Sequence, residues 1–141
     1  MDPLDDVPAQ AVVVIETPRF SHVKRRDDGA IAFVSPLPSP FNYGSVPGTR
    51  SGDGDRIDAI VLGRRLARDT CVELPVVAVV DFVDAGQRDP KWVCAPHPLR
   101  PRDRLAIELF FRCYVLAKRA FNHARGAHGA TYYAGVRDLR H

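Results

Sequence analysis

Apolar positions recur along this chain with two different periods, and the change between them divides it. Up to about residue 95 the apolar runs are short, rich in β-branched residues and bounded by Pro, Gly or Asp, which is how strands read. Residues 12–16, 30–34, 57–62, 71–83 and 91–95 are each expected as strands, with 71–83 as one long strand or two short ones broken near Pro75. The basic run 21–28 meets 30–34 across Asp27-Asp28-Gly29, which predicts a hairpin. Pro36, Pro38, Pro40 and Pro47 make 35–50 a rigid, irregular segment without a long strand, because proline cannot donate to a ladder. Beyond Pro101 the period lengthens: Leu105, Leu109, Cys113, Leu116 and Ala120 recur at helical spacing. Pro101 suits a first helical turn and Asp103 complements its positive end, so 101–124 is expected as one amphipathic helix. The fold class is then mainly β with one or two helices (α+β), short strands forming a closed barrel or sandwich with the C-terminal helix packed on one side. Residues 1–10 form an acidic, proline-broken lead-in, 11–125 the domain, and 126–141 a weakly ordered tail with Gly126, Gly129 and Gly135 around Tyr132-Tyr133.

Composition narrows this picture only slightly. A chain of 141 residues suits one domain that buries about two-thirds of its unfolded surface. Its 45% hydrophobic and 26% charged content is globular, and a net charge of +3 leans mildly toward anionic ligands. Cys71, Cys94 and Cys113 are odd in number and lack Cys-x-x-Cys spacing, so they read as reduced, buried thiols of a cytosolic protein. No apolar run approaches the ~18 residues of a membrane span, and the acidic start is unlike a signal peptide, so a soluble protein with no membrane partner is expected.

The candidate chemistry centres on Asp53-Gly54-Asp55-Arg56-Ile57-Asp58, which runs directly into the apolar 59–62. Neighbouring carboxylates at ~5 Å repel by about 3 kcal/mol per pair at an effective dielectric of ~20, so this run needs a compensating cation. A second acidic pair, Asp84 and Asp89, lies between two strands, and Glu16 ends the first. If a barrel brings these strand ends to one rim, six carboxylates converge, an all-oxygen set suited to Mg²⁺ or Mn²⁺. A calcium-binding helix–loop–helix is excluded, since its fifth and twelfth loop positions would be Ile57 and Arg64. His22, His97, His123, His128 and His141 have no ligand spacing. Trp92 and Phe82 read as core residues, so nucleic acid stacked on exposed aromatics is not expected as a partner.

Several motifs follow one another in a telling order. They are Glu16-Thr17-Pro18-Arg19, Lys24, Asn42-Tyr43-Gly44, the Asp53 to Asp58 run, Asp84 with Asp89 five residues on and Lys91 two beyond, and Phe110-Phe111 followed by Tyr114. Together, over roughly 11–116, they resemble the soluble inorganic pyrophosphatase family of the barrel type, as a shortened and divergent member. The resemblance implies a five-stranded OB-like closed barrel and a Mg²⁺-dependent hydrolase, Mn²⁺ being the alternative ion, that splits pyrophosphate into two phosphates. It implies Asp53, Asp58, Asp84, Asp89 and Glu16 as metal residues and Asp55 as acceptor of the nucleophile's proton. It further implies Lys24, Tyr43, Lys91 and Tyr114 as phosphate contacts, and a cytoplasmic homo-oligomer packed through the barrel edge or the helix.

This chain departs from the family pattern at Arg56 inside the acidic run, at Arg26 where a carboxylate is usual, at Ser35 in place of the phosphate-binding arginine, and at Val115 in place of a lysine. About ten residues before the helix are also missing relative to the family. Losing two charge-assisted contacts of ~1.5–3 kcal/mol each lowers the expected turnover by a factor of about 10² to 10⁴. The alternative reading is therefore a divergent relative that binds metal and another phosphorylated ligand, or serves as an interaction subunit. Lys118, Arg119, Arg25, Arg26 and Arg50 are candidate replacements that otherwise read as solvated surface cations.

Overall fold

Alternation of apolar with polar residues becomes a barrel with two chemically different walls in the computed structural model, which describes residues 6–21, 23–25, 31–34, 38–52 and 54–139, without the side chains of 23–25 and 31–34. The elements are β1 (Gln10–Thr17), β2 (Val23–Arg25), β3 (Ile31–Val34), β4 (Asn42–Val46), β5 (Ile57–Val61), β6 (Cys71–Asp84), β7 (Gln87–Arg88), β8 (Lys91–Cys94), α1 (Pro101–Ala124) and β9 (Tyr132–Asp138). Pairing runs β1–β4–β5–β8–β6 and returns from β6 to β1, closing a ring of five strands in which only β5 and β8 are parallel. The hairpin expected from 21–34 is present as the antiparallel pair β2–β3.

Every second residue of these strands faces the barrel interior. Val13, Ile15, Ile57, Ala59, Val61, Val79, Trp92 and Cys94 form that inner core. Their neighbours face outward, where Tyr43, Ile60, Val80, Phe82 and Val93 meet Ile107, Phe110, Phe111, Tyr114 and Val115 of α1 in a second core. β6 serves both walls. It pairs β1 along 71–75, then β8 along 76–80, and a bulge between Val76 and Ala78 resets its alternation. Pro75 sits where the partner changes, so its missing N–H interrupts neither ladder and the run stays one strand.

Four sequence expectations are corrected. Segment 35–50 contains β4, which is buried throughout. Its polar and small residues hid it: Asn42 is fully buried, its amide donating to the carbonyls of Val61 and Arg64 and accepting from the backbone N–H of Arg19 and Leu66. Gly44 lies so close to β1 that a Cβ there would stand 2.1 Å from the Val14 carbonyl oxygen, which accounts for the Asn-Tyr-Gly sequence in local terms. The tail is not weakly ordered over 132–138, because β9 pairs with β6 and is tied down by Arg137 to Asp81 and by Arg104 of α1 to Asp138.

The helix keeps its bounds but turns its other face to the barrel. Leu105, Leu109 and Leu116 are 55%, 56% and 65% exposed, while Ile107, Phe110, Phe111, Tyr114 and Val115 are buried. Three aromatics, each able to bury about 150–250 Å², outweigh a leucine stripe. Cys94 is buried as expected, its thiol pushed up to about 12 by desolvation, but Cys71 and Cys113 are exposed. Among the described residues, no helix is long and apolar enough to cross a membrane.

Candidate functional site

Strand register assembles the site. Ser45 of β4 pairs with Asp58 of β5, and Asp58 with Lys91 of β8, so three polar side chains stand side by side on the outer wall beside the aromatic core under α1. The row therefore lies on the barrel's outer face, where β5 and β8 begin, and not around its open end. Glu16, near the end of β1, joins it by accepting a hydrogen bond of 3.1 Å from Ser45 Oγ to its Oε2. Asp89 joins from the other side, two residues before Lys91 and with its backbone N–H bound to the Phe82 carbonyl.

Lys91 is the centre of this arrangement. Its side chain is fully buried and its Nζ donates to Asp58 Oδ2 at 2.7 Å and to Asp89 Oδ2 at 2.5 Å. The Phe82 ring lies 5.3 Å from the ammonium, and Tyr43 donates its hydroxyl to Asp58 Oδ2 at 3.3 Å. Burial works against the charged ammonium, but the Asp58 and Asp89 carboxylates, with Tyr43 and Tyr114 nearby, overcome it and hold Lys91 well above its usual value. Tyr114 is buried against Phe82 and Phe110.

Asp84, at the end of β6, is held by residues to which the acidic motifs do not point. Asn122 of α1 donates to its Oδ1 at 2.7 Å, Thr131 donates to the same oxygen at 3.3 Å, and Lys118 stands 3.5 Å from Oδ2. Desolvation raises its pKa, but the Asn122 hydrogen bond and the charges of Lys118 and Lys91 prevail, so the carboxyl sits below its usual range. The signal for these partners was present in the helix, since Tyr114, Lys118 and Asn122 recur every four residues on one face. Ser45 could be found only from the pairing register.

Asp55 occupies different ground. It is exposed on the loop before β5 and, with Thr49, Arg50 and Arg56, lines an open polar groove of about 490 Å³. That loop is braced by Arg50 Nη1 to the Gly54 carbonyl, and by Thr49 Oγ1, which donates to the Val46 carbonyl and accepts from Ile57 N–H. Gly52 anchors it to the Arg88 carbonyl, and a Cβ at Gly52 would lie 2.7 Å from that oxygen. Gly52→Ala is expected to lower stability by about 1–3 kcal/mol, read by urea denaturation; a loss below ~0.5 kcal/mol would show that the anchor yields freely.

Asp53 lies outside the described residues, as do the side chain of Lys24 and all of Arg26 and Ser35. The structure thus brings together Glu16, Tyr43, Asp58, Asp89, Lys91 and Tyr114, gives Asp84 its own set of partners, and leaves Asp55 on the solvent side. The donors are oxygen throughout, which fits a hard divalent cation, and ammonium groups already stand between or beside these carboxylates as a cation would. Among the described residues, no three of the carboxylates, imidazoles or thiols are gathered into a single metal-holding group.

Comparisons with known proteins point to one family. A family model described as inorganic pyrophosphatase matches residues 13–128. An inorganic pyrophosphatase of Aeropyrum pernix is 37% identical over 102 residues, covering 67% of this chain and 58% of the relative. One from Gluconobacter oxydans is 32% identical over 105 residues, covering 69% and 61%. The chain thus spans about three-fifths of the length of these curated relatives. The crystal structure of inorganic pyrophosphatase from Thermus thermophilus superposes with a TM-score of 0.74 at 26% identity, covering 95% of this chain and 85% of that one.

Proposed function

This chain belongs to the inorganic pyrophosphatase family, and from that premise we propose that it hydrolyses inorganic pyrophosphate with divalent cations, Mg²⁺ first and Mn²⁺ as a substitute. The observation that carries the proposal is the row Glu16, Ser45, Asp58, Lys91 and Asp89, a buried strip of carboxylates around one ammonium on a single wall. Asp58, Asp89, Asp84 and Glu16, together with Asp53, would hold the cations. When bound, these would supply positive charge that makes a water more acidic and offsets the charge of the phosphoryl group.

The chain's own residues supply the rest. Asp55, on the open side, accepts the proton of the attacking water as its oxygen bonds to one phosphorus. The bridging P–O bond breaks, and the second phosphate leaves with the electron pair. Lys91, Tyr43, Tyr114 and Lys24 steady the phosphates through fixed charge and hydroxyl donors. The test is phosphate release from pyrophosphate, polyphosphate and nucleoside phosphates, with and without Mg²⁺. Mg²⁺-dependent release from pyrophosphate is expected; none in excess Mg²⁺ would sink the proposal. Arg50 and Arg56 in the groove beside Asp55 favour a second reading, a larger phosphorylated ligand, and under that reading a longer phosphate is the preferred substrate in the same panel.

On the same family footing the protein is proposed to be cytoplasmic and homo-oligomeric. The exposed stripe Leu105, Leu109, Cys113 and Leu116 on α1 supports self-association through the helix. Leu116→Asp should then shift the light-scattering mass of the oligomer down to that of smaller species; an unchanged mass would remove the helix from the interface.

A further inference from the structure

The Asp84 carboxylate is gripped from α1 and from the segment leading into β9. Its Oδ1 accepts from both Asn122 and Thr131, two side chains that are themselves 5% exposed. Asn122 also donates to Thr131 Oγ1 at 3.1 Å and accepts from Arg125 Nε at 2.9 Å, and Thr131 Oγ1 accepts from the backbone N–H of Ala85 at 3.0 Å. With Oδ1 bound on two sides the carboxylate cannot swivel, and its Oδ2 faces the Lys118 ammonium at 3.5 Å. That separation exceeds the ~2.7–2.9 Å of a charge-assisted hydrogen bond. Lys118 therefore neutralises Asp84 across a gap, while the neutral donors fix its orientation. The pair is not a solvated surface contact, since the two side chains are only 13% and 12% exposed. Lys91 acts on the same carboxylate, so ammonium groups from β8 and α1 both bear on it.

We propose that Lys118 is an exchangeable counter-ion: it neutralises the Asp84 that Asn122 and Thr131 hold in place, and gives its charge to a substrate phosphate once Asp84 engages a divalent cation. Both halves rest on the proposed function, the cation half only on Asp84 as a metal residue and the phosphate half on the pyrophosphate substrate as well. Opposite signs follow for one substitution. Without Lys118 a cation no longer competes with an ammonium for Oδ2 and binds more tightly, whereas an anion loses a partner and binds more weakly.

The test titrates Mn²⁺ alone into wild type and Lys118→Met by calorimetry, then titrates inorganic phosphate into the Mn²⁺-saturated proteins. The expected results are about three- to tenfold tighter Mn²⁺ and about three- to tenfold weaker phosphate in the variant. Lys118→Gln, which keeps a polar group beside Asp84, provides the same comparison should methionine unfold the chain. Unchanged or weaker Mn²⁺ binding overturns the counter-ion role, and unchanged phosphate binding overturns the exchange. A merely structural lysine would lower the Tm and leave both affinities alone. Failure of the hydrolase reading appears separately, as wild type that releases no phosphate from pyrophosphate while the Mn²⁺ comparison still holds.

Discussion

Lys91→Met should lower the stability of this protein by about 3–5 kcal/mol, the largest loss expected from any one side chain of the site. Methionine roughly matches the lysine stem in volume, so the cavity term is small and the charge decides. Without the ammonium, Asp58 and Asp89 lose their shared partner, and one of these carboxylates is buried while the other is nearly so. Removing one member of a buried ion pair strands the other, which costs far more than the pair itself contributes. For a chain of this length the loss corresponds to a Tm lower by roughly 10–20 °C. The pH dependence has a definite sign. The folded-state pKa of Lys91 is raised above its usual 10.5, so its contribution is complete below that value and is lost only as pH rises through the higher folded value. Wild type should therefore keep this contribution across the whole neutral range. The gap between wild type and variant should narrow in acid instead, where protonated carboxyls no longer need a cation. Urea denaturation at pH 7 and pH 4 checks both points; a difference below ~1 kcal/mol at pH 7 would mean that water reaches the pair.

Residue alternation made the barrel legible, because a five-stranded ring with one helix needs only short strands and one change of period. What it concealed has identifiable causes. β4 was hidden because its work is done by a buried asparagine amide and a glycine with no room for a side chain, features that read as loop. β9 was hidden because Gly135 and the charged Arg137 and Asp138 break its apolar alternation, while the ladder to β6 that holds it is visible only in the folded chain. The face of α1 was misread because both sides carry apolar residues, and spacing alone does not weigh phenylalanine against leucine. Of the carboxylates in the acidic motifs, Glu16, Asp58 and Asp89 share one wall, and motif spacing could not show that Asp58 and Asp89 share a lysine. Nor could it show that Asp84 belongs to Asn122, Thr131 and Lys118. Those partnerships depend on register and on where the helix crosses the barrel, and both are properties of the folded chain.

The contrast between Asp55 and its neighbours leads to the second large effect. Asp55→Asn should reduce kcat for pyrophosphate by about 10² to 10⁴, the range of a removed general base, with a smaller loss of stability than a break in the buried Lys91 pair. Asparagine preserves the shape and the exposed position but cannot accept a proton at neutral pH. Asp58→Asn would not isolate chemistry in this way, because it also breaks the buried Lys91 pair and lowers stability. Asp55 stands apart from that pair, on a loop braced by backbone and threonine contacts that the substitution leaves in place. Initial-rate kinetics in excess Mg²⁺ separate the possibilities. A fall in kcat with little change in KM marks a group acting in the transition state, and a rise in KM at constant kcat marks a binding contact. Equal kcat in wild type and variant would remove Asp55 as the base and leave the proton to a group on the barrel wall, of which Glu16, bound to Ser45 at the end of β1, would be the first to replace.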